Sequence, residues 1–79
     1  MTRRDLALIA ETRAALADGS ARLARIAAGV QVREMAALLG VTPQAVSQWE
    51  SGRRTPGTAH ALAYGKALAA VGAALSPLR

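Results

Sequence analysis

Val32–Gly52, VREMAALLGVTPQAVSQWESG, can be read residue by residue as two short amphipathic helices joined by a tight turn. Val32, Met35, Ala36 and Leu39 recur at helical spacing, and Val41, Val46 and Trp49 resume it after a break, so both pieces face one core. The break is Gly40-Val41-Thr42-Pro43. Gly40 suits the left-handed position that ends a helix, while Thr42 followed by Pro43 suits the cap and first residue of the next. A turn of about three residues makes the two helices cross steeply and turns the polar side of the second, about Pro43 to Glu50, away from the core. That side carries Gln44, Ser47, Gln48 and Ser51. A glutamine amide can pair bidentately with adenine N6 and N7, so an exposed helix start bearing Gln44 and Gln48 is suited to base edges in duplex DNA.

Working outward, the chain has 79 residues, one domain's worth, and room for only a small core. Hydrophobic residues make up 52% but aromatic ones only 3%, which favours closely packed, alanine-rich helices; no alternating strand pattern competes, and the fold class is all-α. The net charge is +5, and every basic residue except Lys66 is arginine, the side chain best suited to bidentate phosphate contact. A polyanionic partner is expected. Cysteine is absent, which removes disulfides, thiolate zinc sites and cysteine nucleophiles. Asp5, Glu11 and Arg13 interrupt any signal-peptide core, and the most apolar stretch, 61–78, contains Lys66 and mostly small side chains, a poor membrane span. A cytoplasmic, nucleoid-associated protein without membrane contact is the expectation.

Thr2 can cap a first helix, with Asp5 completing the cap and Leu6, Ile9, Ala10, Leu16 and Ala17 as its apolar stripe. Gly19-Ser20 reads as a stop and a new cap, giving a second helix from about Ala21 to Ala28 with Leu23, Ile26 and Ala27 inward; one long helix bent at Gly19 also fits. After Gly52 the run Arg53-Arg54-Thr55-Pro56-Gly57 is a basic loop that Pro56 keeps from continuing the helix. A last helix runs from Thr58, as cap, to about Ala74, with Ala61, Tyr64, Leu68, Val71 and Leu75 on one face. Leu62, Gly65, Ala69 and Gly72 form a second, smaller row that allows close approach of another helix, within the domain or across a dimer.

VREMAALLGVTPQAVSQWESGRR closely resembles the helix-turn-helix of the phage-repressor-like (XRE, Cro/repressor-type) DNA-binding family. The resemblance covers roughly Ala21 to Leu75, and its most specific parts are the Ala36, Gly40, Val46, Trp49 spacing and Trp49-Glu50-Ser51-Gly52 followed by arginines and a proline. It implies a compact five-helix domain of repressor-like type, including or preceded by an extra N-terminal helix, in a bacterial or phage setting. Residues 19–76 would be the DNA-binding domain, and 1–18 a helix serving dimerisation or packing. Pro43, Gln44, Ala45, Ser47 and Gln48 then face bases or nearby phosphates, beside the capping Thr42, and Arg53 and Arg54 fall where the family grips phosphate. Val32 stands where many members carry an anchoring glutamine, so Gln31 or Arg33 would have to substitute. Arg25 meets Glu50 as a structural ion pair.

Trp49 reads as core rather than a stacking platform, since no aromatic flanks it. His60 stands without a partner at ligand spacing, and the five acids are scattered singly, so neither metal, cofactor nor catalysis is expected. The expected function is sequence-specific transcriptional regulation, of repressor type, by a homodimer on double-stranded DNA. An antitoxin or adaptor whose N-terminal helix holds a protein partner is one alternative, and a phage recombination-accessory or architectural DNA-binding protein is another.

Overall fold

A computed structural model describes residues 1–72, and within them all regular structure is helical: α1 (Arg3–Asp18), α2 (Ser20–Ala27), α3 (Val32–Leu39), α4 (Pro43–Glu50) and α5 (Thr58–Ala70). The last helix ends at Ala70, short of the expected Ala74, because Val71 is its cap and Gly72 turns left-handed at φ +77°; Leu75, expected on its stripe, lies outside the described residues.

The helix ends follow from local chemistry. Thr2 Oγ1 accepts from the Asp5 amide at 3.0 Å while Asp5 Oδ2 accepts from the Thr2 amide at 3.2 Å, a reciprocal cap that starts α1. Gly19, at φ +88°, breaks α1 from α2, so two helices form rather than one bent one. The cap of α2 is Gly19, not Ser20, which is already helical; Asp18 Oδ1, across the break, accepts from the Ser20 hydroxyl at 2.6 Å and the Ser20 amide at 2.8 Å. Those bonds, the hydroxyl's first, hold the Asp18 carboxyl below its ordinary range. Gly40, at φ +71°, closes α3, and the Val41 amide returns to the Ala36 carbonyl at 3.0 Å. Thr42 Oγ1 accepts from the Ala45 amide at 3.1 Å, with Pro43 as the first helical residue. At α5 the cap is Gly57 and Thr58 is already helical.

The core is Ala15, Leu16, Ala21, Met35, Ala36, Val46, Trp49, Tyr64, Ala67 and Leu68, with Val32, Leu39 and Val41 half-buried against it. α1 packs most extensively on α5 and then on α2 and α4, while α3 packs on α4 and α5. The expected inward face of α1 holds only at Ile9 and Leu16, and that of α2 is wrong. In α1 the buried residues are Ile9, Thr12, Ala15 and Leu16, whereas Leu6, Ala10 and Ala17 are exposed. The helix is rotated because its closest approach is at Gly65 of α5, where a Cβ would lie 2.4 Å from Thr12 Oγ1 and 2.9 Å from Leu8 Cγ. In α2 Leu23 and Ile26 are 63% and 48% exposed and Ala27 is also outward, while Ala21 and Arg25 are buried. Arg25 sets that phase, since a buried guanidinium must point at its partners and so carries the apolar side chains on the opposite face to solvent.

Gly65 thus joins α1 and α5 within one protomer. Ile9, Leu16, Tyr64 and Leu68 are buried in the domain and are not free to form an interface with a second copy; of the described residues on the apolar stripes of the first and last helices, Leu6 and Val71 are the large side chains left exposed. Gly65→Ala should destabilise the fold by about 1–2 kcal/mol in chemical denaturation, because overpacking against Thr12 and Leu8 outweighs alanine's higher helix propensity. A neutral or stabilised variant would mean that α1 can shift away.

Candidate nucleic-acid interface

Gly40, Val41 and Thr42 separate α3 from α4, and that turn presents the polar side of α4 outward. Gln44, Ser47 and Ser51 are exposed and Gln48 half-buried; together with Arg53 they line one shallow concavity. A second depression adjoins it, sharing Ser47 and Ser51 and reaching Arg22, Arg25, Val32 and Glu50. It reaches Val32 at the start of α3, where Glu34 Oε1 accepts from the Gln31 amide at 2.8 Å and the Gln31 carbonyl accepts from the Glu34 amide at 3.0 Å. The one carboxylate in either lining is Glu50, and Arg25 neutralises it.

Beneath this surface lies a buried polar triad. Arg25 Nε donates to Glu50 Oε2 at 2.7 Å and Nη2 to Oε1 at 2.9 Å, a bidentate pair; Nη1 donates to the Val30 carbonyl at 2.7 Å. The Tyr64 hydroxyl donates to Glu50 Oε2 at 2.6 Å. Burial, followed by the bond to Glu50, pushes the Tyr64 phenol well above its ordinary range, so it stays a neutral donor. The hydrogen bond to Glu50 likewise raises Arg25. The triad ties α2, the end of α4 and α5 together and fixes the angle at which the polar face of α4 is presented.

The basic loop hangs from the C-terminus of α4. The Gln48 carbonyl accepts from the amides of Arg53 at 3.0 Å and Arg54 at 3.2 Å and from the Ser51 hydroxyl at 3.2 Å. The two arginines then diverge: Arg53 lines the α4 concavity, whereas Arg54 lines a small depression against α1 with Arg13, Leu16, Ala17, Trp49, Gly52, Thr55 and Pro56.

A family model described as helix-turn-helix matches residues 22–72, well over half of the chain. The chain belongs to the XRE-type helix-turn-helix family. It is therefore a DNA-binding helix-turn-helix regulator in the general sense, with α3 and α4 as the paired helices and α1 outside the matched segment. No curated protein and no solved structure gave a significant match. Among the described residues no helix is long and apolar enough to cross a membrane.

The helix-turn-helix brings together Gln44, Ser47, Gln48 and Arg53, and places the capped start of α4 at Thr42 and Pro43, both exposed. Thr42 uses its hydroxyl as a cap, and Ala45 is half-buried against the core. Gln31 and Arg33 are exposed at the start of α3 but line neither depression. Three participants were not foreseen. Arg22 stands beside Ser47 and Ser51, one turn before Arg25, and that spacing was its only sequence signal. Tyr64 completes the triad; as a buried phenol on the stripe of the last helix it needed a partner. Arg13 reaches the basic loop from α1. Trp49 is buried as expected, and the exposed His60 ring lies against it, centroids 5.4 Å apart at 36°.

Proposed function

We propose that the protein is a sequence-specific transcriptional regulator of repressor type, acting on the nucleoid as a homodimer. α4 enters the major groove, Gln44 and Gln48 read adenine edges, and Ser47 and Ser51 face the groove walls. Arg53 and Arg22 grip phosphates on either side, with Gln31 and Arg33 at the margin in place of the glutamine that Val32 replaces. The observation that carries this reading is the single concavity shared by Gln44, Ser47, Gln48, Ser51 and Arg53, free of carboxylates.

One reading helix spans too few base pairs for an operator, so two copies on half-sites about one helical turn, roughly 34 Å, apart are expected. The adaptor alternative, whose motive is the extra N-terminal helix, is less favoured because that helix buries Ile9, Thr12, Ala15 and Leu16 within the domain and packs chiefly on α5.

Selection from randomised duplexes should return a motif with adenines at the positions facing Gln44 and Gln48. Gln48→Ala should relax preference at one position by about 1–3 kcal/mol. Arg53→Ala should weaken all sequences alike and lower the log–log salt slope by about 0.9. A selection that enriches nothing removes the reading, and sedimentation showing only monomers on a selected site removes the dimer.

A further inference from the structure

We propose that Arg13 is a positioning residue of the DNA interface: from α1, outside the matched helix-turn-helix, it clamps the basic loop so that Arg53 and Arg54 are held at fixed places for phosphate. The proposal rests on the DNA-binding reading above. Arg13 Nε donates to the Pro56 carbonyl at 3.3 Å and Nη2 to Thr58 Oγ1 at 3.5 Å, so one guanidinium bridges the end of the loop and the start of α5. These contacts join residues more than forty positions apart in sequence. Among the described residues the only ion pair is Arg25–Glu50, so Arg13 has no carboxylate holding it and its bonds are to the loop and helix start alone.

The loop needs such a clamp. At its near end the one Gln48 carbonyl is shared by the Arg53 and Arg54 amides and the Ser51 hydroxyl, a tie at a single point about which the loop can swing, opening those bonds, unless its far end is held. From Thr55 to Gly57 the backbone makes no further bond of that kind until the Gly57 carbonyl accepts from the Ala61 amide at 2.8 Å. Pro56 is buried in that interval, and the surface it closes is made by Arg13, Leu16 and Ala17 of α1 with Trp49 and Gly52. α1 is therefore the wall against which the far half of the loop rests. A long side chain such as arginine gives up considerable freedom when it contacts phosphate; a loop held in place at both ends confines that loss to the side chain.

The test uses the full chain. Wild type, Arg13→Gln, Arg13→Lys, the R53A/R54A variant and its combination with R13Q are compared in two measurements. One is amide exchange of Arg53 and Arg54 in the free protein; the other is affinity for a short labelled duplex of random sequence across a salt series. Arg13→Gln should keep a cooperative thermal transition, speed exchange at both amides, and weaken duplex binding by about three- to tenfold with the salt slope unchanged. In the R53A/R54A background it should have no further effect, because it acts through those side chains. Arg13→Lys, a single point donor in place of the paired guanidinium nitrogens, should recover less than half of the lost affinity.

Unchanged exchange overturns the proposal, as does full rescue by lysine or an equal loss in the R53A/R54A background. A salt slope lowered by about 0.9 in Arg13→Gln overturns it too, since Arg13 would then be a phosphate contact itself. Failure of the wild type to bind any duplex defeats the DNA-binding reading, and with it the purpose assigned to Arg13. The exchange data still separate the two failures: faster exchange without DNA binding faults the reading alone, and unchanged exchange faults the clamp.

Discussion

Glu50→Ala should cost about 3–5 kcal/mol of unfolding free energy, enough to leave the chain largely unfolded or barely cooperative at ordinary temperature. Its carboxylate accepts two bonds from Arg25 and one from Tyr64, all within the interior. Removing it strands a buried guanidinium that keeps only the Val30 carbonyl, and a buried phenol with no acceptor. A small domain has about 5–15 kcal/mol in total, so the loss takes a large share of it. Tyr64→Phe is the contrast: Arg25 and Glu50 stay paired, one bond is lost, and the expected cost is about 1–2 kcal/mol. Guanidinium denaturation of both variants checks the pair, and a Glu50→Ala loss under about 1 kcal/mol would show that Arg25 escapes to water.

The same triad gives a pH dependence. The folded Tyr64 phenol titrates above its ordinary 10.0, so the neutral form is the one the fold favours. Its contribution is fully present below the unfolded value and is lost as pH rises through the higher folded one, so stability should fall off on the alkaline side of 10.0. Tyr64→Phe should flatten that decline in a series of melts.

What could be read in the sequence was local. Gly40 and Thr42-Pro43 each make their own cap, and the structure places the α3 and α4 boundaries where those residues put them. The face of α2 could not be read that way. Leu23 and Ile26 outrank Arg25 in hydrophobicity, but the bidentate pair with Glu50, twenty-five residues away, rotates them to solvent. The pairing itself came from family resemblance rather than helical periodicity. In α1, Thr12 takes the central buried position because Gly65 leaves a hollow there, a fit between two helices that no stripe of hydrophobic residues displays. Arg13 was hidden for a further reason: its principal acceptor is a backbone carbonyl, which leaves no side-chain signature. The divergence of Arg53 and Arg54 follows from the path of the loop, which the dipeptide does not encode.

Deleting residues 1–18 should abolish cooperative folding of the remaining chain, although the matched helix-turn-helix begins only at residue 22. α1 supplies Ile9, Thr12, Ala15 and Leu16 to the interior, and its largest contact is with α5, which carries Tyr64 of the buried triad. Leu16 and Ile9 alone are worth roughly 2–5 kcal/mol each when truncated to alanine, which together approaches the whole stability of a small domain. Their removal would also expose Gly65 and its neighbours on α5 and leave Pro56 and Trp49 without the wall that Leu16 and Ala17 provide. Far-UV circular dichroism and a thermal scan of the 19–79 fragment decide the matter: a helical fragment with a sharp transition would sink the prediction. Loss of DNA or partner binding on truncation would accordingly report unfolding rather than a contact made by α1. Leu16→Ala, expected to lower stability by about 2–5 kcal/mol while leaving Gln44, Gln48 and Arg53 untouched, is the variant that separates the scaffold from the reading face.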